Sequence, residues 1–386
     1  MRPAQAEIVV LGGGVIGLAI AYEATRRGLR PLVLERGKAG SGAVWAAAGM
    51  LAPAAEAESE DQALVELALE SCRLYPEFIA QLEADSGMTC GYRTEGTLVV
   101  ALNRDHAEEL ERVASFQRRL GLDVAWLDAD EVLRREPGLS PRLLGALCAE
   151  GDRQVDPRRL VRALRAAIER RGGTIVEDSD ITRIESAGGT VQEVIHTVAG
   201  ETTSARAGCI VAAAGAWTND LPLDAARELP LRPVKGQVLR LRGEPLIQHV
   251  VRTPDVYLVP RASGELVVGA TSEELGFDAR PTAGAALDLL REAWRVLPGI
   301  ADLELAEQTV SFRPALRDNL PCIGPVADTA GMFVATGHYR HGVMLAPVTA
   351  RLLLDCIETG SVPPLLASFQ VSRFAGAGSM KGAVSR

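Results

Sequence analysis

A two-part architecture, α/β combined with α+β, is the fold class this sequence predicts, and three observations carry it. Strand–turn–helix patterns occur at the beginning, in the middle (about residues 151–220) and near the end of the chain. Segments with a more strand-like pattern are inserted between them. The chain has 386 residues, too many for one compact core, so two domains or one interrupted domain are expected.

Each element follows from local pattern. "EIVVLGGGVIGLAIAYEATRRGLRPLVLE" reads as strand, turn, helix, strand, with apolar runs at 7–11 and 31–35 and a helix over 15–27 that Gly28 stops. "ALVELALESCRLYPEFIAQL" predicts an amphipathic helix, and 97–102 a strand. "DPRRLVRALRAAIERRGG" opens on an Asp156 cap with Pro157 in the first turn and closes on Gly172 and Gly173. Its arginines are expected on an exposed face over a Leu/Ile stripe. "GCIVAAAGAWTND" reads as a buried strand running into small residues, and "VYLVPRASGELVVGAT" as a hairpin around Ser263 and Gly264. "MFVATGHYRHGVMLAPVTARLLLDCI" is again strand, turn, helix. The acidic run "EAESED" is expected to be a solvated helix start, and the tail "FAGAGSMKGAVSR" to be disordered.

Composition narrows the function classes. A net charge of −9 argues against nucleic acid as a partner, since phosphate contacts need concentrated positive charge. Six scattered cysteines without a CxxC pair support neither a disulfide framework nor a zinc site, and suit a reducing cytoplasm. The N-terminus leaves no room for a signal peptide, and no apolar run reaches membrane-spanning length. No metal site is expected, and the location predicted is cytoplasmic.

The run Gly12-Gly13-Gly14-Val15-Ile16-Gly17 matches GxGxxG. Gly12 permits a tight turn, Gly14 admits a pyrophosphate to the backbone, and Gly17 lets helix and strand pack closely. The pyrophosphate would sit on the helix N-terminus, where N–H groups and the dipole favour negative charge. Glu35, eighteen residues past Gly17 at the end of the next strand, would accept ribose hydroxyls and disfavour a 2′-phosphate. A nicotinamide enzyme normally continues in regular βα units. This chain continues "RGKAGSGAVWAAAGMLAP", whose small residues offer backbone to a flat ring. A flavin is therefore expected, on a Rossmann-like domain.

The combination of "GGGVIG", "AAAGML", "AAAGAW", "VPRASGELVVGAT", "FRPALRDNLPCIG" and "GHYRHGVMLAP" resembles the FAD-dependent D-amino acid oxidase family over about residues 7–374. Within it, the chain is most similar to the glycine oxidase branch of thiamine biosynthesis. The resemblance implies that Val15, Ile16, Glu35 and Arg36 contact the adenosine end of FAD, with Ile181 near the adenine. Gly215 and Trp217 of "AAAGAW" belong to the same cofactor site. Ala48, Gly49 and Met50 run beside the isoalloxazine, while His338, Tyr339, Arg340, His341, Gly342, Val343 and Met344 close over its pyrimidine edge. The substrate carboxylate is held by Arg313 and Tyr257, with Arg340 beside substrate and ring. Relatives usually carry hydroxyls where this chain has Ala43, Val44 and Trp45, leaving backbone groups to serve the phosphate; Asp255 replaces a His found in close glycine oxidases. "TVSFRP" lacks the cysteine used for covalent attachment, so FAD is expected to be non-covalent.

The implied fold is discontinuous. FAD-binding parts fall at 1–85, 146–228 and 322–372, mixed-sheet substrate parts at 86–145 and 229–321, and a flexible tail at 373–386. The implied reaction is oxidation of a small amine, with O2 as acceptor and hydrogen peroxide as product. Partners are that substrate and O2, and a homo-oligomer is implied, a tetramer being one form. Two rivals stay open: an amine dehydrogenase passing electrons to a quinone, and a flavin-bound assembly subunit without turnover.

Overall fold

The computed structural model describes residues 4–56, 62–223 and 229–374. Two eight-stranded sheets organise these residues. In the first, Ala4–Leu11 lies parallel between Glu201–Ala212 and Pro31–Leu34. Thr174–Val176 extends it parallel on one side, and Met332–Thr336 parallel on the other, with Cys322–Pro325 antiparallel at the edge. Val9, Val10, Leu11, Val33 and Leu34 are fully buried, as in parallel strands covered on both faces. An antiparallel pair, Ser179–Ala187 with Thr190–Val198, joins the outer part of Glu201–Ala212.

Helices cover one face. Val15–Arg26 packs against Gly342–Thr359 and Pro157–Arg170, and Gln62–Ser86 lies over the latter two. Gly28, at φ +82°, takes the chain out of the first helix in the left-handed region. Asp156 caps Pro157–Arg170 by accepting from the N–H groups of Arg158 and Arg159 at 2.9 and 3.1 Å. The Gln62–Ser86 helix runs through Pro76 and further than the sequence pattern suggests.

The second sheet runs in the order Glu304–Ala315, Arg232–Arg242, Glu265–Gly269, Tyr257–Pro260, Val250–Arg252, Thr97–Ala101, Gly145–Ala149, Ala125–Asp128. Leu98, Val100, Leu239, Leu258 and Val268 pack there against Leu289, Ala293 and Val296 of the Ala283–Val296 helix. Gly145–Ala149 lies whole in this sheet, so the chain returns to the first sheet after Ala149 rather than at 145/146. A small ribbon, Met50–Leu51 with Arg153–Gln154, stands at the junction.

Two sequence expectations are corrected here. Arg158 does not lie on an exposed face: it forms a bidentate pair with Glu307 of the second sheet at 2.9 and 2.8 Å, stacked 3.9 Å over Trp45. Planar guanidinium geometry favours both contacts at once. Of the acidic run, Glu56 is folded inward with its side chain 13% exposed, while 57–61 lie outside the described residues. Most of the tail, 375–386, also lies outside them.

All six cysteines are free, and burial pushes every thiol up, Cys72, Cys90, Cys209 and Cys322 to about 12. Among the described residues no group of three or more His, Cys, Asp or Glu is placed to hold a metal, and no single helix is long and apolar enough to cross a membrane.

Candidate active site

A cavity of about 640 Å³ runs from the C-terminal ends of Ala4–Leu11 and Glu201–Ala212 to the face of the second sheet. Strand order reverses between those two strands, which is where open α/β sheets bind ligands.

The glycine turn forms one end. Gly12 has φ +114°, and a Cβ there would stand 2.5 Å from Ala213 O. A Cβ on Gly17 would stand 2.0 Å from Gly12 O, so only glycine lets the helix sit this close to the strand. Beside Gly14, by contrast, there is open space, and the helix it caps has no side-chain cap. Its first N–H groups are thus available to an anion. Glu35 accepts from Gly13 N at 2.7 Å and Gly37 N at 2.8 Å, which fixes its carboxylate over the turn. Arg36, Ile181, Gly215 and Trp217 line the same end, with the Arg36 guanidinium 5.6 Å from the Trp217 ring.

Mostly small residues form the middle wall, Ala43, Ala48 and Gly49 among them, together with Val44 and Met50. Gly49 has φ +76°, and a Cβ would meet Val155 O at 2.1 Å. Val155 N donates to Gly49 O at 2.9 Å, and Arg261 Nη2 donates to Ala48 O. The wall is therefore backbone, braced from behind.

The other end gathers charge. Arg313 donates to Thr271 O at 3.0 Å, and the Tyr257 ring fills the space a side chain on Gly269 would need. Burial pushes the Tyr257 hydroxyl up, so it stays a neutral donor, although Arg313 acts against the shift. Such a pair suits a carboxylate. Arg340 also lines the cavity, its guanidinium 4.9 Å from the Tyr339 ring, with Tyr339, His338, Gly342 and Val343. The Gly342–Thr359 helix has no side-chain cap, which leaves its positive end facing the cavity. His338 bonds Thr349 at 3.0 Å and is pushed down to about 3 by burial, so it is neutral.

Three residues grouped with the cofactor site do not line the cavity. Gly17 is buried against the strand, as its packing role requires, and Met344 is turned into the core, where its carbonyl accepts from Ser71 at 2.6 Å. His341 points instead to Glu56, 3.4 Å away. That carboxylate partner was missed in the sequence, as was Arg252, 3.6 Å from Glu56 and 2.9 Å from Ala55 O. Burial opposes the Glu56 charge, but His341, Arg252 and Arg340 outweigh it and hold the carboxyl below its usual range. A hairpin register would have found Arg252, which pairs directly with Tyr257 across the turn. Asp255 lines the cavity as well.

A family model described as FAD dependent oxidoreductase (DAO) matches residues 7–356. The chain belongs to that family. FAD is its cofactor, and the fold is the α/β arrangement of the DAO-like enzymes. The chain is 36% identical to a glycine oxidase of Geobacillus kaustophilus (strain HTA426), over 96% of this chain and 97% of that one. The crystal structure of glycine oxidase from Geobacillus kaustophilus superposes with a TM-score of 0.88 at 35% identity, covering 96% and 99%. A bifunctional protein ThiO/ThiG of Trichormus variabilis is 37% identical over 95% of this chain, which spans 55% of that longer protein. The cavity fits the cofactor: space lies open beside Gly14, Gly42 and Gly215, next to an uncapped helix end and a fixed carboxylate. FAD-dependent amine oxidation is therefore the class of chemistry this chain performs.

Proposed function

We propose that the chain oxidises glycine or another small amine, such as sarcosine or D-alanine, to the imine. Gly12, Gly14, Val15, Ile16, Glu35 and Arg36 would hold the dinucleotide, with Ala48, Gly49 and Met50 beside the ring. FAD bound there supplies the hydride acceptor and, through O2, the route to hydrogen peroxide. The observation that carries this reading is the Arg313–Tyr257 pair at the end of a wall of bare backbone.

Arg313 and Tyr257 fix the carboxylate, which points the Cα–H bond of the substrate at the wall. The unprotonated amine nitrogen contributes its lone pair as the Cα hydride leaves, so C=N forms without a base taking the Cα proton. A neutral, packed His338 agrees with that economy. Gly342–Thr359 aims its positive end where negative charge accumulates. Water then cleaves the imine to the oxo acid and ammonia, or methylamine where sarcosine is the substrate. Alternatively the imine passes to thiazole formation, a route that similarity to a ThiO/ThiG protein supports. The setting inferred is cytoplasmic, in a homo-oligomer.

The test is a panel of glycine, sarcosine, D-alanine and D-proline with peroxide read out. Turnover of glycine or sarcosine with stoichiometric peroxide is expected. Flavin-loaded protein that is bleached by these amines yet yields no peroxide would point to a quinone as the acceptor.

A further inference from the structure

Arg261 follows the Tyr257–Pro260 strand and does not face the cavity. It is 5% exposed and reaches behind the wall to three neutral acceptors. These are Ala48 O, Gln154 Oε1 at 3.1 Å and Val155 O at 3.2 Å, while its buried Nε has no partner. Among the described residues no carboxylate comes within 4.0 Å of it: Glu265 is taken by Arg240, and Asp156 by Arg159 and its own helix cap. Arg240, 1% exposed, and the part-buried Arg158 differ, since each has a carboxylate.

We propose that Arg261 is a positioning residue that also sets the flavin's redox potential: a guanidinium with no carboxylate in contact, fixed behind Ala48, favours the negatively charged reduced ring. This rests on the ring lying beside Ala48–Met50. The physical argument is direct. Asp156 and Glu265 act on Arg261 only from beyond contact distance, and Arg240 and Arg93 act against them, so a buried cation bonded to dipoles alone keeps a field that reaches charge developing on the other side of a single backbone layer. Burial pulls Arg261 down only to about 10, which leaves it protonated at neutral pH. The fork also holds Ala48 O and Val155 O together, and Val155 in turn holds Gly49. One side chain therefore sets both the shape and the charge of the wall.

The experiment separates the two effects in the flavin-loaded protein. Gln154→Glu places a carboxylate where Arg261 already bonds, keeping the fork while cancelling its charge. Arg261→Met removes both. Each is read by two-electron midpoint potential and by sulfite affinity. A tenfold shift of the reduced-to-oxidised equilibrium corresponds to about 30 mV. Both variants are expected to shift the potential negative by at least that much and to weaken sulfite binding about tenfold, with Arg261→Lys nearer wild type. If Arg261→Met fails to take up flavin, Gln154→Glu decides. Wild-type potential and sulfite affinity in Gln154→Glu would overturn the proposal. Met50→Ala tests the placement separately: an unchanged flavin absorption band would remove the ring from this wall, and the proposal with it.

Discussion

A Cβ on Gly236 would stand 2.5 Å from Arg313 Nη1, the two residues sitting on paired antiparallel strands. The clash would be with the far end of a flexible side chain, so the guanidinium would move rather than the sheet. Gly236→Ala is expected to raise KM for glycine about tenfold with little change in Tm or in the bound-flavin spectrum. Steady-state kinetics and thermal unfolding check it.

Removing the guanidinium itself goes further. Arg313→Ala is expected to raise KM by ~100-fold or more, because a charge-assisted fork to the carboxylate is lost. The flavin spectrum should stay as in wild type. Unchanged kinetics would take Arg313 out of the site. Arg313→Lys, which keeps charge but not the fork, should fall between.

Glu56 brings an anion to the cavity proposed to take one substrate carboxylate, 3.4 Å from His341 and 3.6 Å from Arg252. Amines bearing a second carboxylate should therefore be poor substrates. Glu56→Gln is expected to improve kcat/KM for iminodiacetate relative to glycine about tenfold. Equal effects on both substrates would mean that Glu56 does not face the substrate.

Asp152 connects acidity to stability. Burial pushes its carboxyl from 3.8 up to about 7, against the N–H groups of Ala54 and Ala55 that donate to it. Between those two values the unfolded chain has released a proton that the folded chain retains. Stability attributable to this group is thus full below about pH 4, falls as pH rises to about 7, and is flat above. Urea unfolding from pH 5 to 8 should show this slope, and Asp152→Asn should flatten it.

The glycine-turn end of the cavity was legible because its signal is backbone geometry within a short stretch. Gly12 and Gly17 have no room for a Cβ, and Glu35 sits where strand length dictates. The Arg313–Tyr257 end was legible only in part. Arg313 and Tyr257 lie in recognisable motifs, whereas Glu56 is one acid in an acidic run and becomes a cavity residue through tertiary pairing alone. Arg158 likewise reads as a helix-surface arginine until Glu307 arrives from another sheet. Met344 was misplaced for a simpler reason. Successive helical residues turn by about 100°, so 342, 343 and 344 cannot all face one cavity.

The packing of Val15–Arg26 against Gly342–Thr359 has a consequence for biogenesis. While the ribosome is still at work, the glycine turn is already outside, yet the helix that completes its cleft has not been made. A cleft that needs both helices is complete only once the chain has been made as far as Thr359. In the interval, the apolar flank around Val15 and Ile16 lacks its eventual cover, a natural point for chaperone engagement.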